Sequence, residues 1–461
     1  WAALTAASAL TFLVFGPAAW APRPGAELPL PWPGLTGGLA WWTPLVLAVC
    51  TVLAGDWLQA DARRNSGWRM SWVSSGAVQV GMVGWSLVWW WLTLLPEVSR
   101  ELQLMHLTAW WPACVALWVT VTAALMVWVA HARQWRLMGQ ASALAIPGWY
   151  WAALLGPAFS PLPPSADLGW LAWPLALCCG PWLLRRLQAW LDDSALRHLH
   201  VLGFWLMAAL LCRQAQWATD QWATPGSGWQ SLCWILVPAS LVLLVSSPRA
   251  AARWPLRDFA QSYRVAGALP LVAGLVLWLL HSLVSSGRAQ PLPYVPVLNP
   301  LELGQCLVVL TLVMWVRELP ASIQAQLPEG RTRLAALGGL AWLVITTMVL
   351  RACHHWADVP WDASALFQSK LTQASLSVVW ALLGVGLMIR GHRQVQRAVW
   401  VAGAGLLGVV VGKLFFLELA DHGGLYRIIS FIVVGLLLLV VGYFAPVPPD
   451  QAAERAESEV P

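Results

Sequence analysis

Few side chains in this sequence could do chemistry, and most of them fall in its last third. Arg351, His354, His355, Asp358 and Asp362 follow one another in the stretch VLRACHHWADVPWD. Histidine beside a carboxylate suits acid–base work, because imidazole titrates near neutral pH. His354 or His355 would be the base of a group transfer. The bland reading is a solvated loop anchored by Trp356 and Trp361. Adjacent histidines project differently from a helix, so the pair is a poor metal site. Asn299-Pro300-Leu301-Glu302 has asparagine at a helix cap, proline at the first helical position and glutamate at the third, a capping-box pattern. The functional alternative for Glu302 is a carboxylate held at a helix start facing a cavity. Lys413 lies well inside an apolar run. It either snorkels its ammonium to the interface or pairs with Glu302, Glu418 or Asp421, and the neighbouring Gly408 and Gly412 favour pairing. Asn299, Glu302, Arg351, His354, His355, Asp358, Lys413, Glu418, Asp421 and Arg427 together form the candidate polar cluster. No nucleotide-binding glycine loop, Ser/His/Asp elbow or zinc motif occurs, and no cofactor or metal is implied. The 8 cysteines include no C-x-x-C pair, so neither a disulfide framework nor a zinc site is indicated.

The elements that must position these residues are membrane helices. The composition is 59% hydrophobic and only 10% charged, where a soluble domain is about a quarter charged. Several apolar runs exceed the length needed to cross a bilayer. The expected fold is an all-α polytopic transmembrane helix bundle of about 14 spans, at 1–15, 38–55, 76–95, 108–130, 141–159, 168–184, 198–212, 229–246, 264–284, 300–318, 333–350, 371–390, 397–418 and 427–446. Two spans carry helix-breaking pairs, Pro147-Gly148 in the fifth and Pro174 with Gly180-Pro181 in the sixth. These read as kinks or as interruptions that expose backbone groups. In 397–418, the small residues Ala404, Gly408 and Gly412 predict a face that another helix approaches closely.

Charge orients the bundle. Of the 27 Lys and Arg residues, 18 fall in one alternate set of loops and 7 in the other. The richer set faces the cytoplasm, which puts the polar cluster at the outer face and the C-terminus inside. The net charge of +6 arises from these loops and does not indicate nucleic-acid binding. The outer loops, such as SPLPPSADLG and GRAQPLPYVPVLNP, are rich in proline, which stiffens them. The 36 tryptophans cluster near outer helix ends, among them Trp41-Trp42, Trp89-Trp90-Trp91, Trp110-Trp111, and Trp170 with Trp173. They read as interfacial anchors, or as stacking surfaces for the sugars of a lipid-linked glycan. Three regions are expected: Trp-rich helical hairpins over 1–260, a C-terminal bundle over 261–446, and a disordered polar tail over 447–461. The first region opens at Trp1 and reads as truncated at its start.

From Arg264 onward the segments PYVPVLNPLELGQ, VLRACHHWADVPWD, SLSVVWALLGVGLMIRGHR and GLLGVVVGKLFFLELADHGGLYRIISFIVVG resemble a bacterial family, the predicted membrane proteins filed as domain of unknown function 2339. The resemblance implies a membrane fold in a bacterial cytoplasmic membrane and brings no catalytic residues. The leading functional expectation is a non-enzymatic envelope protein that binds or moves an amphipathic or lipid-linked molecule at the outer face, with membrane lipid as its partner. The alternatives are a membrane-embedded transferase acting on a lipid-linked glycan and a structural scaffold.

Overall fold

The computed structural model describes residues 75–159, 161–328 and 330–413, most of 49–56, and a few positions between 428 and 439. Among the described residues every regular element is helical. The α-helices of six or more residues are α1 (Ser75–Leu104), α2 (Trp111–Arg133), α3 (Arg136–Ser142), α4 (Ala145–Phe159), α5 (Gly169–Leu187), α6 (Asp193–Asp220), α7 (Gly228–Ser246), α8 (Leu256–Gln261), α9 (Leu269–Val284), α10 (Pro300–Arg317), α11 (Gly330–Trp356), α12 (Ala363–Gln368), α13 (Lys370–Arg393) and α14 (Arg397–Lys413). A π-helical segment, Ser262–Gly267, joins α8 to α9.

Among the described residues, seven stretches are long and apolar enough to cross a membrane: Thr108–Arg133, Asp193–Asp220, Gly228–Ser246, Leu256–Val284, Pro300–Arg317, Gly330–Trp356 and Lys370–Arg393. The expected 14 spans are not reached among the described residues. Expected spans 1–15 and 427–446, and most of 38–55, lie outside them or nearly so. Helix α4 has 15 residues and is about 22 Å long, short of the roughly 30 Å hydrocarbon core. The proline pairs do not break their helices. Pro147 falls in the first turn of α4, where its missing N–H leaves no bond unmade. Helix α5 runs continuously through Pro174 and Pro181.

The chain forms two compact units. One comprises residues up to Gln221 with Val237–Val272 and Arg317–Leu319; the other comprises Trp222–Leu236, Ala273–Val316 and the residues from Pro320 on. In the first unit, α2 buries Ala113, Ala116, Val119, Ala123 and Val127 at helical spacing against Ile146, Trp149 and Ala152 of α4, Ala172 and Leu183 of α5 and Leu206 of α6. The tryptophans divide between core and surface: Trp111, Trp149 and Trp173 are buried while Trp128 and Trp170 are exposed.

In the second unit, α13 and α14 meet through glycines. A side-chain carbon on Gly384 would lie 3.0 Å from the Gly403 carbonyl, and one on Gly391 would lie 2.6 Å from the Trp400 nitrogen. Leu407 and Val410 complete this contact with Ala381, Val385 and Met388. Among the described residues the close contact falls beside the expected ridge: a side-chain carbon on Gly408 or Gly412 would meet none of those residues within 4 Å. Also on α13, Trp380 packs 5.1 Å from Trp342 of α11 and donates to the Thr346 hydroxyl.

Candidate functional site

The polar cluster is built where three helix ends of the second unit meet: the C-terminus of α9, the N-terminus of α10 and the last turn of α11. A helix C-terminus leaves carbonyls without intrahelical partners and carries partial negative charge, and an N-terminus carries the reverse. The sequence answers both. Arg351 of α11, fully buried, donates from Nη2 to the Ser282 carbonyl at 2.6 Å and from Nε to the Ser285 carbonyl at 3.0 Å. Its Nη1 lies 3.4 Å from Glu302 Oε1. Glu302, 2% exposed, stands in the first turn of α10, where the helix dipole favours a carboxylate. One buried ion pair thus ties together the end of α9 and the start of α10.

The connection between these helices closes around Glu302. The Tyr294 hydroxyl donates to Oε1 at 2.6 Å and the Val297 N–H to Oε2 at 2.5 Å. Burial, and then the Glu302 carboxylate itself, push the Tyr294 pKa far above the ordinary tyrosine value, so the phenol stays a donor. Val297 has φ +72°, a left-handed backbone that costs a β-branched residue of order 1–3 kcal/mol. The bond to Glu302 holds it there. Asn299 caps α10 as expected: its Oδ1 accepts the Leu301 N–H at 2.8 Å, and its Nδ2 donates to the Gly287 carbonyl at 2.7 Å. Glu302 does not complete the capping box, because its oxygens reach past Asn299 to Val297, Tyr294 and Arg351. Gly287, at φ +66°, leaves room for Arg351, whose Cδ would lie 3.0 Å from a side chain there.

The histidines lie beside this clamp. His355 stacks on Tyr294, ring centroids 4.7 Å apart, and its Nε2 bonds the Ser286 carbonyl at 2.9 Å. His354 uses Nδ1 on the Val359 carbonyl at 2.7 Å. A carbonyl can only accept, so each histidine spends one ring N–H on the backbone. Asp358, exposed and at φ +52°, shapes the turn after α11. Asp362 caps α12 by accepting the Ser364 and Ala365 N–H groups, and these bonds, with that from the Ser364 hydroxyl, hold its carboxyl below the ordinary aspartate value. Among the described residues no group of three or more His, Cys, Asp or Glu side chains converges as a metal site would require. Lys413 stands apart from the clamp. Its ammonium donates to the Gln373 carbonyl and the Ser377 hydroxyl, both at 2.7 Å. Of the three carboxylates expected as its partners, Glu302 is paired with Arg351. Glu418, Asp421 and Arg427 lie outside the described residues.

The first unit holds a cavity of about 180 Å³. Its walls are Pro112 and Ala113 at the start of α2, Tyr150, Ala153 and Gly156 of α4, Trp173 near the start of α5, and Leu206, Ala209 and Arg213 in the last turns of α6, roofed by Leu162, Pro163 and Pro164. Alanine and glycine where the helices face one another leave the space open. Arg213 donates to the Leu162 carbonyl at 3.0 Å, and Gln214 accepts the Ser165 N–H at 3.1 Å, so α6 holds the proline-rich roof. The Tyr150 hydroxyl is committed to the Leu202 carbonyl at 2.6 Å. Arg133, Arg185, Arg186 and Arg197 lie at the opposite ends of these same helices.

A family of predicted membrane proteins, DUF2339, matches residues 100–448. The chain belongs to that family. The DUF2339 match begins well before Arg264, so it covers the cavity as well as the clamp. No curated protein and no solved structure matches the chain.

Within this DUF2339 chain, sequence reasoning found Asn299, Glu302, Arg351 and the histidines but missed Tyr294 and Val297. The signal for Tyr294 was available: a lone tyrosine in PLPYVPVLNP, close to a glutamate at a helix start. In the sequence Arg213 is one of the 7 basic residues of the arginine-poor loops. Its place in a cavity follows from tertiary contacts that no local pattern encodes.

Proposed function

We propose that this integral membrane protein is a non-enzymatic binder of an amphipathic or lipid-linked envelope molecule, held at the outer end of its helices in a bacterial cytoplasmic membrane. The cavity in the first unit carries the reading. It is largely apolar, it sits at the helix ends opposite the arginine-rich loops, and those loops face the cytoplasm by the charge rule. An alkyl chain would fill this space of about 180 Å³ and cover its apolar walls. The clamp supports the non-catalytic side. Glu302 and Arg351 are sealed from solvent and spent on helix ends, and each histidine commits a ring nitrogen to the backbone.

The test is native mass spectrometry of the chain purified in mild detergent. A retained envelope lipid is expected, lost in Ala153→Trp and Ala209→Trp variants that fill the cavity yet keep the wild-type melting temperature. Retention of the same lipid by both filled variants would refute the reading.

A further inference from the structure

The cavity also has features that define its ligand. Its volume of about 180 Å³ lies below the roughly 300–1,000 Å³ of pockets that enclose a whole small molecule, so it admits a length of one chain and not a two-chain lipid. Its walls are aliphatic and aromatic except at one end, where the Arg213 guanidinium is placed. Gly156 shows which way that group faces: a side-chain carbon there would touch the Pro112 ring at 3.3 Å and lie 3.7 Å from Arg213 Nη1. The Nη2–Leu162 bond fixes the plane of the guanidinium, a fork whose donors match the paired oxygens of a phosphate or carboxylate. Among the described lining residues the opposing charge is Asp167. Asp167 is exposed, and solvent screens it, whereas Arg213 is half-buried and screened less.

We propose that the cavity takes one alkyl chain of an anionic amphiphile and that its oxyanionic head sits on Arg213. This rests on the binding reading above and adds the ligand's charge and its single chain. The source is a membrane amphiphile, since a free anion would make no use of the apolar walls.

The experiment uses the full chain in phosphatidylcholine nanodiscs. Two photoactivatable probes, dodecyl phosphate and dodecanol, carry a diazirine at the same chain position. Crosslinks are mapped by mass spectrometry to the peptides holding 150–157 and 206–213. The phosphate probe should label these peptides roughly tenfold or more above dodecanol, the low end of what a charge-assisted hydrogen bond contributes. Arg213→Gln should bring it down to the dodecanol level, Arg213→Lys should keep most of the difference, and Asp167→Asn should raise labelling modestly. Equal labelling of the wild-type cavity by both probes would overturn the charge assignment and leave the binding reading standing. Labelling by neither would overturn both. Displacement of the phosphate probe by inorganic phosphate as readily as by unlabelled dodecyl phosphate would mean a bare anion site and would also sink the proposal. The wild-type comparison stands even if Arg213→Gln fails to fold.

Discussion

Arg351 illustrates how a buried charge can be tolerated in an apolar bundle. Its guanidinium lies about 7 Å from the end of α11, with donors on two carbonyls and a carboxylate. Removing one member of such a pair strands the other and typically costs about 3–5 kcal/mol, whereas replacing both can be nearly neutral. Arg351→Met is therefore expected to destabilise the chain by that order. Arg351→Met with Glu302→Gln should recover part of the loss, as read by thermal unfolding in detergent and analysed as a double-mutant cycle. A coupling energy near zero would mean that the pair contributes nothing beyond its separate members. A milder case is Asp362, whose carboxyl is held low by the Ser364 hydroxyl and then by the α12 N–H groups. A depressed carboxyl contributes stability that is complete above the unfolded value near pH 4 and is lost as pH falls through the lower folded value. Asp362→Asn should flatten the pH dependence of melting in that acid window and leave it unchanged near neutrality. At this scale the sequence was informative about which residues mattered. Asn-Pro-x-Glu marks a helix start wherever it falls, but the partners of Glu302 come from α11 and from the left-handed turn at Val297, which no spacing rule reaches.

At the scale of elements, helix identity was legible and helix rotation was not. Apolar length betrays a membrane helix, yet an apolar helix in lipid lacks the polar face that tells a soluble helix which side is in. The reading of α14 shows the consequence. Ala404, Gly408 and Gly412 form one small-residue stripe, and Gly403, Leu407 and Val410 form the neighbouring one, about 100° around the helix. The second stripe is the one in contact with α13. Gly403→Leu should therefore cost about 1–3 kcal/mol or more, because the new side chain enters the space of the Gly384 carbonyl and the Met388 side chain. Gly408→Leu, on a face that no described residue covers, should stay within about 0.5 kcal/mol of the wild type. Melting temperatures of the two variants in the same detergent give the comparison, and a larger loss at Gly408 would reverse the assigned packing face. The proline-bearing helices teach a related lesson. Pro147 looked like a break because its local sequence is that of one, but the helix simply starts there.

At the scale of the molecule, the proposed topology rests on charge, and it does not depend on how many of the expected spans cross fully. Helices α4 and α5 come as a pair, one running toward the roof of the cavity and the other returning from it. Whether they cross fully or turn back within the membrane, α6 sets out from the same side, so the alternation of arginine-rich and arginine-poor loops downstream is preserved. The proposed orientation would place the clamp at the outer ends of its helices, and the cavity likewise within its own unit. It can be tested at positions the structure leaves accessible. Leu292, in the connection closing the clamp, and Gln394, after α13, are both exposed, whereas Gly391 is packed against Trp400 and unsuited to a probe. In intact cells a membrane-impermeant thiol reagent should modify Leu292→Cys and spare Gln394→Cys, with the native cysteines of the unmodified chain as the background, and permeabilisation should then expose the second. Because 18 of the 27 basic residues sit in the loops expected to be cytoplasmic, and the bias repeats from hairpin to hairpin, the orientation does not hang on any single loop. Labelling in the opposite order would move both the clamp and the cavity to the cytoplasmic side. The ligand would then have to be sought among inner-leaflet amphiphiles, with the Arg213 assignment itself unchanged.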